Sequence, residues 1–270
     1  MTSADAPPLP AGLGTLAGVR RLGGGSICAV WAGQLEDGTA VVVKQAPYDV
    51  DTEVDGLLAL ADAGAPVPQV LAADGDVLVL EHVGGRPDWR ALGRRVAELH
   101  RTTVGPEFGW HRDNLLGRAP QAGGWSDDWP GFFAERRLRP LLDAHGLPAP
   151  VRDRVERAIN GPLPELLGAH RPQASLVHGD LWSGNIIDGS WLIDPAVWKA
   201  DRELELAFTQ LFGGVPADFF NGYASTWPLP DGAAARRPAL QLYHLLIHVW
   251  HFGADYVPMV ADRLDGLGWK

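Results

Sequence analysis

The sequence is poor in cysteine, in positive charge and in long apolar runs, and each deficit excludes a class of protein. Cys28 is the only cysteine among the 270 residues, which excludes an internal disulfide framework and any cysteine-rich metal site. Lys and Arg number 23 against 33 Asp and Glu, so the formal net charge is −10. Because an acidic surface repels phosphate backbones and anionic lipid headgroups, we expect neither nucleic acid nor a membrane as partner.

Hydrophobicity and length limit the possibilities further. No run approaches the roughly 20 apolar residues that cross a bilayer, and the first residues lack the basic and apolar segments of a signal peptide. We therefore predict a soluble, cytoplasmic protein. With 46% hydrophobic and 21% charged residues, the composition is that of a globular protein, and the length suits one large domain or two lobes.

Local patterns predict strands in the first third of the chain and helices after it. Apolar runs at 30–35 and 40–44 flank Glu36-Asp37-Gly38-Thr39, and Asp-Gly between such runs favours a hairpin. One helix over 52–63 and short strands at 69–72 and 77–81 follow. Further helical periodicity lies at 92–100, 127–145, 149–160, 202–212, 216–227 and 234–262. We predict an α+β, two-lobed fold, with a small antiparallel-sheet lobe (1–83) that holds one helix and a larger, mainly helical lobe (84–270).

Three oxygen-bearing side chains flank a second predicted hairpin. Ile186-Ile187 and Trp191-Leu192-Ile193 surround Asp188-Gly189-Ser190, so pairing would bring Asp180 and Asn185 near Asp194. Two carboxylates and an amide oxygen suit Mg²⁺, and phosphoryl transfer to a hydroxyl uses such a set, with one carboxylate as base and the others on the metal. Asp180 is the predicted base, and Asn185 and Asp194 are the predicted metal ligands. The alternative is a polar turn in which Asp180 caps a helix and Asn185 fills a left-handed position.

The N-terminal third offers groups that could hold a nucleotide. Lys44 ends an apolar strand, and a pair with Glu53 on the next helix would aim its ammonium at phosphates; the alternative is a surface ion pair of little energetic weight. In the connector, the Glu81 carbonyl and the Val83 amide could pair with an adenine edge. Backbone amides of a glycine-rich segment could approach phosphate oxygens, and that segment comprises Gly23, Gly24, Gly25 and Ser26.

Together these motifs resemble the fructosamine kinase (ketosamine kinase) family, within the aminoglycoside phosphotransferase and protein-kinase-like fold. The run His178-Gly179-Asp180-Leu181-Trp182-Ser183-Gly184-Asn185 is similar to that family's catalytic loop. Ile193-Asp194-Pro195 and the run 201–207 continue the likeness, which extends over about residues 19 to 257.

The resemblance implies ATP-dependent, Mg²⁺-dependent phosphorylation of a sugar hydroxyl on a free or protein-bound ketosamine, and hence a role in deglycation. It implies that Lys44 and Glu53 hold phosphates, that Asp180 is the base, and that Asn185 and Asp194 bind metal. Two alternatives stay open: a kinase of another amino alcohol, such as an aminoglycoside or a choline-like amine, and a non-catalytic nucleotide-binding protein.

Residues around the expected acceptor site carry less specific signals. Trp182, inside the loop, could pack against the sugar. His244, His248 and His251 share one helical face; we expect His248 and His251 to contact substrate, with a transition-metal site as the alternative.

Two further expectations concern support and assembly. Glu203 or Glu205 could be a buried partner that steadies the loop. Some lineages of the family carry a cysteine in the glycine-rich loop that links two subunits. Here Ser26 follows the glycines and Cys28 comes two residues later, so we expect a monomer or a weak homodimer without a redox switch.

Overall fold

The N-terminal part is a five-stranded antiparallel sheet with one helix. A computed structural model describes residues 7–23 and 27–270. The strands stand in the order β1-β2-β3-β5-β4, and helix α1 (Asp51–Asp62) follows the third of them. Their bounds are β1 Leu16–Leu22, β2 Ala29–Leu35, β3 Ala40–Gln45, β4 Val70–Asp74 and β5 Val77–Glu81. The predicted hairpin is confirmed, since Gln34 pairs with Ala40 across the Asp-Gly turn.

The alternation of β3 separates the two faces of this sheet. Val41 and Val43 are buried with Val77 and Val79 in a small apolar cluster on one face. Because successive side chains of a strand point to opposite faces, Lys44 lies on the other face, toward the main core. The sequence of β3 therefore places one lysine on the inner side of the sheet.

The rest of the chain is mainly helical, as predicted. Its helices are α2 Trp89–Thr102, α3 Trp129–Phe133, α4 Ala149–Ile159, α5 Pro162–Gly168, α6 Arg202–Thr209, α7 Ala217–Thr226, α8 Ala233–Phe252 and α9 Val257–Gly266. A π-helical turn (Ala134–Leu138) and three 3₁₀ turns (Arg139–Leu141, Ser183–Asn185 and Gly253–Tyr256) complete the helical segments. The predicted α+β fold class is confirmed; the division into lobes at residue 83 falls between β5 and α2 and stays a prediction.

Short strands form three small sheets within this helical part. A four-stranded sheet has the order β10-β13-β6-β9, and the pairs β7-β8 and β11-β12 are hairpins. The bounds are β6 Phe108–Trp110, β7 Asn114–Leu116, β8 Ala119–Gln121, β9 Gly124–Ser126, β10 Ala174–Val177, β11 Ile186–Ile187, β12 Trp191–Leu192 and β13 Trp198–Asp201. β13 pairs with both β10 and β6, so segments far apart in sequence meet at this sheet.

The helical segment predicted at 234–262 is wrong as one continuous helix. α8 ends at Phe252, and Gly253 has a φ of 80°, a value that glycine adopts without strain. A 3₁₀ turn (Gly253–Tyr256) follows, and α9 begins at Val257. Within residues 7–23 and 27–270, none of the helices combines the length and the hydrophobicity that a bilayer crossing requires.

Candidate active site

The loop that follows β10 is held tightly against the segment that precedes β13. Gly179 has a φ of 84°, and a Cβ atom there would lie 2.0 Å from the Ala196 carbonyl oxygen, so only glycine fits. The Ala196 amide donates to the His178 carbonyl at 2.9 Å. These contacts fix the backbone just before Asp180 and just after Asp194.

Asp180 and Asn185 are in direct contact. The Asn185 Nδ2 atom donates to Asp180 Oδ2 and to the Asp180 carbonyl, both at 2.8 Å. Burial raises the pKa of Asp180 to about 8; the Asn185 hydrogen bond opposes this shift and the negative charge of Asp194 adds to it. Because the amide nitrogen of Asn185 is the donor in both bonds, its Oδ1 is left for a ligand.

The predicted β11-β12 hairpin is present and carries Asp194 back toward Asn185. Ile186 pairs with Leu192, and the Ile193 amide donates to the Asn185 carbonyl at 3.0 Å. Asp194 has a φ of 56°, a strained value for a residue with a side chain, and its side chain is 46% exposed. Asp194 thus offers a carboxylate at the end of a rigid turn.

Lys44 reaches this same place from the N-terminal sheet. Its Nζ atom lies 2.7 Å from Glu53 Oε2 on α1 and 3.0 Å from Asp194 Oδ1. Burial alone would lower the pKa of Lys44, but the charges of Glu53 and Asp194 outweigh it and raise the pKa above its usual value. Lys44 and Glu53 are both buried, so the alternative of a surface ion pair is wrong, and the lysine is held as a fixed positive charge.

A buried layer beneath the loop fixes its backbone. Glu205 on α6 accepts from the Gly179 amide and contacts His100 Nε2, both at 2.8 Å. Burial alone would raise the pKa of Glu205, but the hydrogen bond and charge of His100 outweigh it and lower the pKa. On the other side, His244 Nε2 donates to the Gly179 carbonyl at 3.1 Å. Of the two glutamates considered for this role, Glu205 contacts the loop, whereas Glu203 pairs with Arg236.

The sequence did not reveal His100 and His244 as supports of the loop. His100 lies on α2 and His244 on α8, respectively 79 residues before and 65 residues after Gly179. A single sequence contains no signal for contacts of that separation. The Tyr223 hydroxyl extends the layer, since it lies 2.9 Å from His100 Nδ1.

The predicted substrate residues lie in different surroundings. Trp182 is 38% exposed and covers Gly184, where a Cβ atom would lie 2.3 Å from the indole. His248 donates from Nδ1 to the His244 carbonyl at 2.7 Å, and its ring packs between Phe212 and Tyr256. His251 contacts the Leu116 carbonyl through Nε2 at 2.9 Å.

The three histidines of α8 therefore face three separate backbone carbonyls. Among the described residues, the one group of potential metal ligands whose ligand atoms lie within 4.8 Å of one another is His170, Asp201 and Glu203, and it includes no histidine of α8. The stripe of His244, His248 and His251 gives no support to the transition-metal alternative.

The predicted nucleotide-binding residues divide into described and undescribed ones. Gly23 is exposed after β1, whereas Gly24, Gly25 and Ser26 lie outside the described residues. Glu81 ends β5, and the connector after Val83 is tied to the β11-β12 turn, because the Gly85 amide donates to Asp188 Oδ2 at 3.1 Å. Cys28 lies 4.0 Å from the Tyr48 hydroxyl, and burial raises the pKa of its thiol.

Comparison with known proteins identifies the relatives of this chain. The sequence profile of the fructosamine kinase family matches residues 14–267. A probable ketoamine kinase of Synechocystis sp. is 39% identical over 212 residues, which cover 74% of this chain and 70% of that protein. The crystal structure of a candidate fructosamine-3-kinase from Thermobifida fusca superposes with a TM-score of 0.83 at 32% identity, over 93% of each chain. An ethanolamine kinase of Plasmodium vivax, 12% identical, shares the fold with a TM-score of 0.60 over 93% of this chain and 82% of that one.

Proposed function

The chain belongs to the fructosamine kinase family, and from this premise we propose how its residues carry out the ATP-dependent phosphorylation of a ketosamine. The enzyme is a phosphotransferase with an alcohol acceptor. One observation carries the assignment of residues: Lys44 of the sheet contacts Asp194 at 3.0 Å, while Asn185 of the same hairpin contacts Asp180 at 2.8 Å. These two contacts support a single site made of a fixed cation, the Asp180 carboxyl group and two further oxygen donors.

Asp180 is the base in this proposal. The acceptor hydroxyl gives its proton to the Asp180 carboxylate as its oxygen bonds to the γ-phosphorus and the bond from that phosphorus to the ADP oxygen breaks. Asn185 holds Oδ2, which leaves Oδ1 to face the hydroxyl. Burial raises the pKa of Asp180, and a raised pKa makes a carboxylate a stronger proton acceptor.

Asn185 and Asp194 would hold Mg²⁺. The set fits this ion, because Asn185 Oδ1 and the exposed carboxylate of Asp194 are hard oxygen donors, and Mg²⁺ takes few protein ligands. When bound, the ion neutralises charge on the transferring phosphates. The chain's own contribution is the rigid turn after β12 that keeps Asp194 at this position.

Lys44 would bind the phosphates of the nucleotide, with Glu53 holding its ammonium in place. The backbone at Gly23, Gly24, Gly25 and Ser26 would cover the phosphates, and the backbone of Glu81 and Val83 would meet the adenine edge. On the acceptor side, exposed Trp182 would pack against the sugar, and His248 and His251 would line the site. A single chain supplies all of these residues, so we propose that a monomer, or a weakly associated homodimer, is competent.

The substrate is tested by ADP release with a panel of acceptors. We expect turnover with a fructosamine or a ribulosamine and little with an aminoglycoside or choline. Preference for an aminoglycoside or choline would establish the amino-alcohol alternative. ATP binding without turnover on any acceptor would establish the non-catalytic one.

The metal assignment is tested by Asp194→Asn. Loss of one negative oxygen should weaken Mg²⁺-dependent nucleotide binding, so that more Mg²⁺ is needed for half-maximal ATP binding. Calorimetric titration of ATP at several Mg²⁺ concentrations measures this requirement. An unchanged Mg²⁺ requirement would contradict the assignment.

A further inference from the structure

Helix α1 is held from two opposite sides. Glu53 faces Lys44, with 2.7 Å between Oε2 and Nζ. Asp55 follows two residues later, which on an α-helix corresponds to a rotation of about 200°. Asp55 therefore faces away from Lys44, toward the helical part of the chain.

Asp55 makes a specific contact there. The indole Nε1 of Trp110 donates to Asp55 Oδ2 at 2.7 Å, and His111 Nε2 lies 3.4 Å from Asp55 Oδ1. Trp110 is buried in β6 and packs against the rings of His111 and Trp125. A hydrogen bond from a buried indole to a carboxylate is short and directional, so it fixes the rotation of α1 about its axis.

The partner of Asp55 belongs to the same small sheet as the strand that follows Asp194. β6 pairs with β13 through Gly109 and Lys199. The residues between Asp194 and β13 pack against α1. A Cβ atom at Gly56 would lie 3.3 Å from the side chains of Pro195 and Val197. The Lys44–Asp194 contact thus holds β3, and the Asp55–Trp110 contact holds α1, against the same rigid part of the structure.

We propose that Asp55 and Trp110 form a strap that positions α1, so that Glu53 holds Lys44 at the nucleotide phosphates. Both are positioning residues, since neither touches the predicted catalytic groups. The strap keeps the Lys44–Glu53 pair assembled without a separate activation step. This inference rests on the proposed function only in assigning Lys44 to the phosphates.

The test measures Mg-ATP affinity by calorimetric titration of the full-length chain, which needs no ketosamine. Asp55→Ala removes the acceptor and Trp110→Phe removes the donor while keeping an aromatic ring. We expect each to weaken Mg-ATP binding by up to about tenfold, as loss of one hydrogen bond to a charged group allows. Asp55→Asn, which keeps an acceptor oxygen for the indole, should restore affinity to near that of the unchanged chain. Asp62→Ala, at an exposed position of the same helix, should leave it unaltered.

A double-mutant cycle separates positioning from general destabilisation. If Asp55 acts through Glu53, then Asp55→Ala should weaken binding in the unchanged chain but have little further effect in a Glu53→Ala background. Equal weakening in both backgrounds would overturn the proposal. So would unchanged affinity in Asp55→Ala and Trp110→Phe chains whose thermal unfolding temperature falls. Failure of the chain to phosphorylate any ketosamine would contradict the proposed function and leave this titration interpretable.

Discussion

At the scale of single residues, Asp180 gives the sharpest prediction. Asp180→Asn keeps the size and the contact with Asn185 but removes the proton acceptor. Since general-base catalysis contributes about 10²- to 10⁴-fold, we expect kcat to fall by at least about 100-fold while the Kd for Mg-ATP changes little. Single-turnover kinetics and nucleotide titration measure the two quantities.

A matched control distinguishes this loss from a general effect of removing a carboxylate. Asp153→Asn, on the exposed surface of α4, should leave both constants near those of the unchanged chain. Near-normal turnover in the Asp180→Asn chain would refute the role of Asp180 as base.

Some site residues were predictable because they are close in sequence. One short hairpin separates Asp194 from Asp180 and Asn185. Its apolar residues and its Asp-Gly turn are enough to predict which residues pair across it. Asp55 and His100 were not predictable in their roles, because each depends on a partner more than 50 residues away. The position of each residue in its helix indicates only the helix face on which it lies. An acidic or imidazole side chain on that face is as compatible with exposure to solvent as with a buried contact.

At the scale of elements, helices and strands with a regular hydrophobic pattern were predicted well, whereas short irregular elements were missed. Strand β5 spans Val77–Glu81 as predicted, α4 ends one residue before its predicted end, and α7 differs from its predicted bounds by one residue at each end. The strands β6 and β9 have three residues each, which is too short for an alternation of period two to develop, and β6 also pairs with the distant strand β13. The helical segment expected at 127–145 is instead α3, a π-helical turn and a 3₁₀ turn, with Pro140 in the last of these.

The crossing of α2 and α7 depends on two glycines. A Cβ atom at Gly93 would lie 2.0 Å from the Phe219 carbonyl, and one at Gly222 would lie 2.1 Å from the Arg90 carbonyl. Because the obstacle is backbone, the helices must move apart to accept a methyl group. We expect Gly93→Ala to lower the free energy of unfolding by about 1–3 kcal/mol, the usual range for overpacking, as measured by urea denaturation.

Gly266 on α9 provides the matched comparison for this substitution. It is helical, and apart from its chain neighbours and the backbone of its own helix no atom lies within 4 Å of a Cβ built there. Gly266→Ala should therefore leave stability unchanged or raise it by up to about 1 kcal/mol through helix propensity. A similar loss in both variants would show that backbone proximity is not the cause.

At the scale of the whole molecule, stability should depend on pH through buried groups around the loop. Burial lowers the pKa of His178 and lowers that of His244 to about 3. His244 is stacked on Phe208 with ring centroids 3.7 Å apart, and it donates to Gly179. The folded state therefore holds both imidazoles in the neutral form, while Glu205 is held ionised.

The sign of the pH dependence follows from proton binding. In the unfolded chain a histidine has a pKa of about 6.5. Between pH 6.5 and 3, residue 244 is therefore protonated in the unfolded state but neutral in the folded state. The free energy of unfolding should thus fall with decreasing pH, by about 1.4 kcal/mol per pH unit for this group. Glu205 acts in the same direction, because its lowered pKa gives stability above its unfolded value near 4.5 that is lost in acid.

His244→Gln tests this account, because glutamine can donate to the Gly179 carbonyl but does not titrate. Urea unfolding at pH 7, 6, 5 and 4 should give a shallower decline than in the unchanged chain, with the largest difference in slope between pH 6 and 4. Ile247→Val, a buried change in the same helix without a titratable group, should lower stability equally at every pH. If the His244→Gln chain keeps the full slope, the acid sensitivity arises from other groups and the neutral, buried state of His244 is not its source.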